Sequence, residues 1–552
     1  MKVYEAVANA FVREGTDTVF GLLGDGQLRW WPAMARRPGV KIVHARHEDA
    51  ALAMAEGWAR ASGRVGVCTV TQGPGVSRMT TSLIVASRSR TPVVVFTSKT
   101  GFNNEHAEHY LDQERLVTAT GAGYIEVLTP GFAEDGARQA FYRARLESRP
   151  VVLCVPMDIQ GKECEAEGED YQPSSTLFGG QQRIRPSLDR VEAAARLIAA
   201  SRKPVLVLGR GASSPAALAA AGRLAERIGA LVSTTLQAKG VLAHDEFHAG
   251  ISGLFSRRAV MKLYEEADCV IAIGASLNPY TLQGGYLYPR ARIIQIDVAP
   301  HVLMGTQKGA DCYVQGDAEL TTAAIEERLA KDGVKQEGFR VAAVRRALRD
   351  ADRDPGEFDI EPGTLDPREV VKVIDDRLPG EVGLVVGAGH CFSFPAMGMK
   401  KPRSLQVYCS AFGCIGQALP TAIGVGVALN GAPLAHIEGD GGAMQNIQEL
   451  DTAARLGLKI LFMIFNDEGF GAEYHKLRAR NEEPGLGLIP SPPFEDVGRV
   501  FGCRGRLART LDDVAAGIAE FLDGSGPMVM DIRISRNVVS IPYQRTQFGA
   551  DV

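Results

Sequence analysis

Two glycine-flanked acids carry the chemistry most open to reading in this chain. Gly439-Asp440-Gly441-Gly442 is followed, with 24 residues intervening after Gly441, by Asn466-Asp467-Glu468-Gly469. Two carboxylates and a free backbone carbonyl suit a hard, six-coordinate Mg²⁺, and the glycines let backbone N–H groups approach a phosphate on the same metal. The candidate metal ligands are Asp440, Asp467 and Gly469, with Gly441 and Gly442 as the phosphate cradle. The same residues read equally well as αβ turns whose acids only cap helices.

For the aspartates to meet, the elements around them must form one unit. Leu434 to Ile437 is strand-like, Gln445 to Leu456 has helical periodicity and Lys459 to Phe465 is a second apolar strand. In a right-handed β-α-β crossover both strands end at the same sheet edge, so Asp440 and Asp467 converge there. The N-terminal part repeats this logic. Strand-like Thr18–Gly21, Val65–Val70, Pro92–Thr97 and Pro150–Val155 alternate with alanine-rich helical stretches, and Val3, Val7, Ala10 and Phe11 place a first helix at the start. A polar stretch, Glu163 to Ser187, reads as a linker.

A second α/β pattern runs from Pro204-Val-Leu-Val-Leu-Gly-Arg-Gly211 through Cys269–Gly274 to Arg292–Asp297. Gly209-x-Gly211 after a strand invites a dinucleotide reading, but the third glycine and an acid at the fingerprint spacing are missing, so a purely structural Rossmann-like domain is the stronger reading. Lys331 to Glu361 reads as a helix with a solvated charged face followed by a linker. A third α/β unit starts near Asp366.

Composition limits what such a chain can be. Its 552 residues predict several domains, and 45% hydrophobic with 23% charged residues describes a folded globular protein. Lys+Arg 61 against Asp+Glu 65 leaves −4 and no dense basic run, which argues against nucleic acid. No apolar run reaches the ~20 residues that span a bilayer. Nine cysteines without a CxxC pair argue for reduced thiols in the cytoplasm and against structural zinc.

The order of motifs goes further. Val19-Phe-Gly21, Arg46-His-Glu48, Gly73-Pro-Gly75, Pro156-Met-Asp158, Gly413-Cys-Ile-Gly416, Gly439-Asp-Gly441 and Asn466-Asp467 resemble, along essentially the whole chain, the thiamine-diphosphate (ThDP) enzymes of the acetolactate synthase/pyruvate decarboxylase superfamily. The resemblance implies three doubly wound α/β domains: a pyrimidine-binding domain (1–165), a central Rossmann-like domain (186–335) and a diphosphate-binding domain (362–552). It implies ThDP and Mg²⁺ as cofactors, and a homodimer or homotetramer whose sites are shared between chains. FAD on the central domain is compatible with Gly209-Arg-Gly211 but not favoured.

Roles follow by resemblance. Glu48 matches the glutamate that hydrogen-bonds N1′ of the aminopyrimidine and favours the imino tautomer that removes the thiazolium C2 proton. Ile415 matches the wedge that bends the cofactor, Gly413 C=O and Ile415 N–H would hold the pyrimidine, and His390 joins the cofactor-binding set. Asp25 and Glu473 match the paired acids of decarboxylases, and Gln113 the glutamine of a synthase-like YLDQE pattern. His106 and His109 lie where decarboxylases carry histidines. The implied activity is a lyase or carboligase acting on 2-oxo acids or related α-dicarbonyl compounds, by decarboxylation to an enamine and then protonation or carboligation. The alternatives are an acetolactate synthase-like transferase and a catalytically silent ThDP-fold binding protein. Met157 stands where synthases place a lysine, and GAEYHKLRAR replaces their Trp-containing helix, which weighs against anabolic acetolactate synthesis. Arg78 and Ser89 replace an asparagine and an aspartate usual in the family.

Overall fold

The computed structural model describes residues 1–101, 104–177, 183–300, 302–306, 309–350, 354 and 356–549. Its framework is three six-stranded sheets, all parallel, whose central strands are buried on both faces while edge strands such as Lys41–His44 and Arg504–Ala508 are partly exposed. Runs such as Val93–Thr97 and Ile460–Asn466 are fully buried and apolar up to their last residue, as a strand covered by helices on both sides requires.

The first sheet contains β1 (Thr18–Gly21), β2 (Lys41–His44), β3 (Gly66–Thr69), β4 (Val93–Thr97), β5 (Gly123–Glu126) and β6 (Pro150–Cys154), in the order β2-β1-β3-β4-β6-β5. The middle sheet contains β7 (Pro204–Leu208), β8 (Leu231–Thr234), β9 (His248–Ile251), β10 (Cys269–Ile273), β11 (Arg292–Asp297) and β12 (Cys312–Gln315), ordered β12-β11-β10-β7-β8-β9. That is the doubly wound order of dinucleotide-binding domains. The last sheet contains β13 (Gly383–Val386), β14 (Gln406–Tyr408), β15 (Leu434–Gly439), β16 (Ile460–Asn466), β17 (Arg504–Ala508) and β18 (Met528–Arg533), ordered β14-β13-β15-β16-β18-β17. The first and last sheets therefore share one topology.

Among the helices, those that bear on the site are α1 (Val3–Arg13), α2 (Glu48–Ser62), α3 (Thr80–Arg88), α4 (Gln113–Ala119), α5 (Ala418–Ala428), α6 (Glu449–Arg455), α7 (Gly471–Ala479) and α8 (Ile541–Gln547). Helix α2 lies directly on α5. A Cβ on Gly57 would meet the Thr421 carbonyl oxygen at 2.2 Å, and one on Gly424 the Met54 carbonyl oxygen at 1.9 Å. This contact belongs to one apolar core that runs from Phe20, Ala51 and Val95 in the first unit to Leu419, Phe462 and Val529 in the last. The middle unit keeps its own two clusters, around Leu206 and Tyr264.

The helix read over Gln445–Leu456 is shorter, because Asp440–Ala443 forms its own turn and the chain bends again before Glu449. In the first linker Ser174–Leu177 is helical, while residues 178–182 lie outside the described residues. In the second, Ala342–Asp350 is helical, while 351–353 and 355 lie outside them.

Candidate active site

In doubly wound sheets a ligand site forms at the carboxyl ends of two neighbouring strands whose connections leave in opposite directions. In the last sheet these strands are β13 and β15. Beyond β13 lies His390 and beyond β15 lies Asp440. Both line a cleft of about 1660 Å³ that also takes in Gly413, Ile415, Gly441, Gly442, Asp467, Gly469 and Glu473. A pocket for one small ligand is usually about 300–1,000 Å³, so this cleft has room for a cofactor and a substrate together.

Parallel pairing of β15 with β16 brings the aspartates together. Asp440 is 2% exposed and Asp467 9%. The Asp440 Oδ2 accepts the Ser491 hydroxyl at 2.6 Å and the Gly469 N–H at 3.1 Å. Burial holds the Asp440 carboxyl above its usual range, and burial followed by the charge of Asp440 raises Asp467 well above it. Glu468, at φ +57°, sits between the candidate ligands Asp467 and Gly469 in the left-handed region. It is held there by Arg533 at 2.6 Å and by the Asn466 side chain, which accepts the Glu468 N–H at 3.1 Å. Asn466 in turn donates to Asp531, whose carboxyl is pushed up by burial to about 6.

Two buried carboxylates, with the charge of Asp440 raising the proton affinity of Asp467, in an oxygen-only donor set, fit a hard divalent cation. The phosphate side fits as well. A Cβ on Gly441 would strike the Phe470 ring at 2.7 Å, so only a glycine lets this turn, with its backbone N–H groups bare, lie so close to that ring. The Gly469 carbonyl oxygen lies 3.7 Å from that same point, on the same side of the turn.

His390 is buried beneath this turn. Its Nε2 accepts the Ser540 N–H at 3.0 Å, so the neutral ring carries its proton on Nδ1. Burial and neighbouring His475 hold its pKa well below the ordinary histidine value. A Cβ on Gly471 would lie 3.5 Å from His390 Nδ1 and 2.6 Å from an Asp467 oxygen, which places that donor beside the Asp467–Gly469 turn. His475, on α7, and Tyr543, on α8, pack against His390 with ring centroids 4.3 and 4.9 Å away, the first tilted and the second edge-on.

Gly413, at φ +76°, opens the turn that ends in Ile415 and Gly416. Gly416 is held from both sides: its N–H donates to Glu438 at 3.3 Å and its carbonyl accepts the Asn446 side chain at 2.7 Å. Sequence reasoning did not single out Glu438, Asn446, Ser491, His475 or Tyr543. Glu438 adjoins the Gly-Asp-Gly motif and was within reach, whereas Ser491 arrives through an irregular chain with no periodic signal.

The N-terminal candidates are dispersed. Glu48 is the first residue of α2, 6% exposed, with its carboxylate 3.5 Å from Arg78. Its neighbours His47 and Asp49, with Arg78, line the cleft. Gln113 opens α4 and is tied at both ends, accepting the Gly73 N–H at 3.0 Å and donating to the Ser98 carbonyl at 2.8 Å. Asp25 is exposed in a short 3₁₀ turn. Neither Asp25 nor Gln113 belongs to the described wall of the cleft. Glu473 reaches the mouth of the cleft, paired with Lys476 at 3.1 Å. His106 is exposed, and His109 Nδ1 lies 3.3 Å from the Gln72 amide.

Among the described residues, no helix is long and apolar enough to cross a membrane. Three family models match in order: "Thiamine pyrophosphate enzyme, N-terminal TPP binding domain" over residues 1–119, its central domain over 191–325, and its C-terminal TPP binding domain over 386–532. The chain is 30% identical to a sulfoacetaldehyde acetyltransferase of Castellaniella defragrans, covering 94% of this chain and 90% of the relative. It is 29% identical to a "probable acetolactate synthase large subunit" of Methanocaldococcus jannaschii, covering 97% and 92%. It is 27% identical to a "probable 2-ketoarginine decarboxylase" of Pseudomonas aeruginosa, covering 96% and 93%. With a carboxylate pair and bare glycine turns at the switch point of the last sheet and all three domain models in sequence, the chain belongs to the thiamine diphosphate-dependent enzymes of the acetolactate synthase/pyruvate decarboxylase superfamily.

Proposed function

We propose that this protein is a ThDP- and Mg²⁺-dependent carbon–carbon lyase or carboligase acting on 2-oxo acids or related α-dicarbonyl compounds. The observation that carries the reading is the pair of buried aspartates, Asp440 and Asp467, facing the bare turn at Gly441. Asp440, Asp467 and the Gly469 carbonyl would hold the metal, Gly441, Gly442 and His390 Nδ1–H the diphosphate, and Gly413 and Ile415 the pyrimidine ring. ThDP supplies an electron sink for cleaving or forming the bond next to a carbonyl.

The chain's own residues move protons and shape the space. Glu48 holds the proton at N1′ of the aminopyrimidine, Glu473 and Asp25 carry protons to and from the reacting carbon, and Gln113 fixes the Gly73 turn. His390, buried and neutral, donates a hydrogen bond without bringing a cation that would compete with Mg²⁺. Asp25 and Gln113 stand away from the cleft that holds Asp440 and Glu473, which supports sites shared between two copies of the chain. FAD has no part in this reading, and freshly purified protein should show no flavin band.

Relatives named as an acetyltransferase and as a synthase match nearly the whole chain, which favours a second reading in which the acyl group passes to another acceptor. Titration calorimetry should show ThDP binding that requires Mg²⁺; ThDP binding with no such requirement, or none at all, overturns the proposal. Incubation with pyruvate and bulkier 2-oxo acids then separates the outcomes: aldehyde for a decarboxylase, acyloin or acetolactate for a ligase, and no turnover despite bound cofactor for a silent binding protein.

A further inference from the structure

The turn that presents Glu48 is held from outside by residues of the C-terminal part of the same chain. Arg46 N–H donates to Glu449 on α6 at 2.8 Å, and the His47 N–H lies on the same carboxylate. His47 Nδ1 caps α2 by accepting the Asp49 N–H at 3.1 Å. Beyond Glu48, the Asp49 carboxylate accepts the Ser82 N–H at 2.9 Å and also meets the Gln417 side-chain amide. The Ser82 hydroxyl lies 2.8 Å from the Asp49 main-chain carbonyl oxygen and 2.7 Å from the Gln417 side-chain oxygen Oε1. Ser82, Gln417 and Glu449 are all buried. The backbone on both sides of Glu48 is thus tied down, while its own carboxylate meets only Arg78 among the contacts described.

Gln417 directly follows the Gly413–Gly416 turn, and Glu449 opens the helix that follows the metal-binding turn at Asp440. Buried hydrogen bonds of this kind fix a neighbour's orientation because losing one partner leaves the other unsatisfied. We infer that Gln417 and Glu449 are positioning residues that set the direction of the Glu48 carboxylate from the C-terminal domain. The inference rests on the ThDP reading above and adds that Glu48 acts at full rate only while this grip is intact. General acid–base work is steep in geometry, so a loosened Glu48 would slow proton transfer while leaving the metal and diphosphate turns untouched.

The test needs no substrate. In the holoenzyme with ThDP and Mg²⁺, exchange of the C2 proton of bound ThDP for deuterium is followed by quenched-flow NMR, and ThDP affinity is measured by calorimetry. Gln417→Met and Glu449→Ala should each slow exchange at least tenfold with ThDP affinity within threefold of wild type. Glu449→Gln, which keeps one acceptor for the Arg46 N–H, should recover most of the rate. Exchange within twofold of wild type in both disruptive variants overturns the inference, as does a loss of affinity that parallels the loss of rate. Should either variant fail to fold, Ser82→Ala, which removes one hydroxyl of the same network, is judged by the same thresholds. Glu48→Gln is the control: wild-type exchange there removes the role of Glu48 itself and overturns both readings, whereas slow exchange there with fast exchange in the two variants overturns the positioning role alone.

Discussion

Asp440 is oriented through one oxygen, Oδ2, which accepts both the Ser491 hydroxyl and the Gly469 N–H. Ser491→Ala should therefore weaken Mg²⁺-dependent ThDP binding without abolishing it. A lost hydrogen bond to a carboxylate is worth about 1.5 kcal/mol, roughly tenfold in calorimetric affinity. Gly441→Ala should act more severely, because its Cβ would lie 2.7 Å from a rigid Phe470 ring atom. His475 answers to pH. Burial lowers its pKa to about 4, so the unfolded chain binds a proton that the folded chain refuses. Stability is full above the ordinary histidine pKa of about 6.5 and is lost as pH falls from there towards 4, by up to about 3 kcal/mol. Melting temperatures at pH 7.5 and 5.0 should lie closer together in His475→Leu than in the wild type, the remaining gap including the buried His390. At this scale the motifs named Asp440, Asp467 and the glycines near them, which the fold brings to one cleft, because acids in glycine-containing turns are conspicuous in a sequence. They did not name Ser491 or Glu438, whose roles depend on where the chain returns in space.

The crossing of α2 and α5 leaves no room for even one methyl group. Gly57→Ala or Gly424→Ala would drive a Cβ into a backbone carbonyl, which no rotamer can relieve, so each should destabilise by about 1–3 kcal/mol or more. Thermal melts should show the loss, and Gly57→Ala should also slow turnover, since α2 begins at Glu48. The strands read from the sequence lie within about two residues of those observed, Thr18–Gly21 fully so, because apolar runs bounded by turn residues leave few alternatives, whereas half-exposed edge strands such as β2 and β17 carry no such run and went unread. The stretch after Asp440 was not, since a helical spacing of apolar residues says nothing of the turn that breaks it before Glu449.

In the whole molecule, the first and last units repeat one strand order around a middle unit of another order. Three α/β units were legible from the alternation of strands and helices, but one core shared by the outer two was not, because contacts between distant segments leave no local pattern. If sites are shared between chains, mixing Glu48→Gln with Asp440→Ala protein should restore part of the activity under subunit exchange. Restoration fails if each chain completes its own site. The common core also bears on how the protein is made. About 350 residues separate the end of α2 from the start of α5. At roughly 5–20 residues per second, the ribosome needs on the order of 20–70 s to supply the helix that α2 packs against. Throughout that interval the face of α2 around Met54 and Gly57 stays uncovered on the nascent chain. Chains arrested before residue 418 should therefore be cut by protease within α2 and be retained by chaperones, while arrest after the last strand should protect the same bonds.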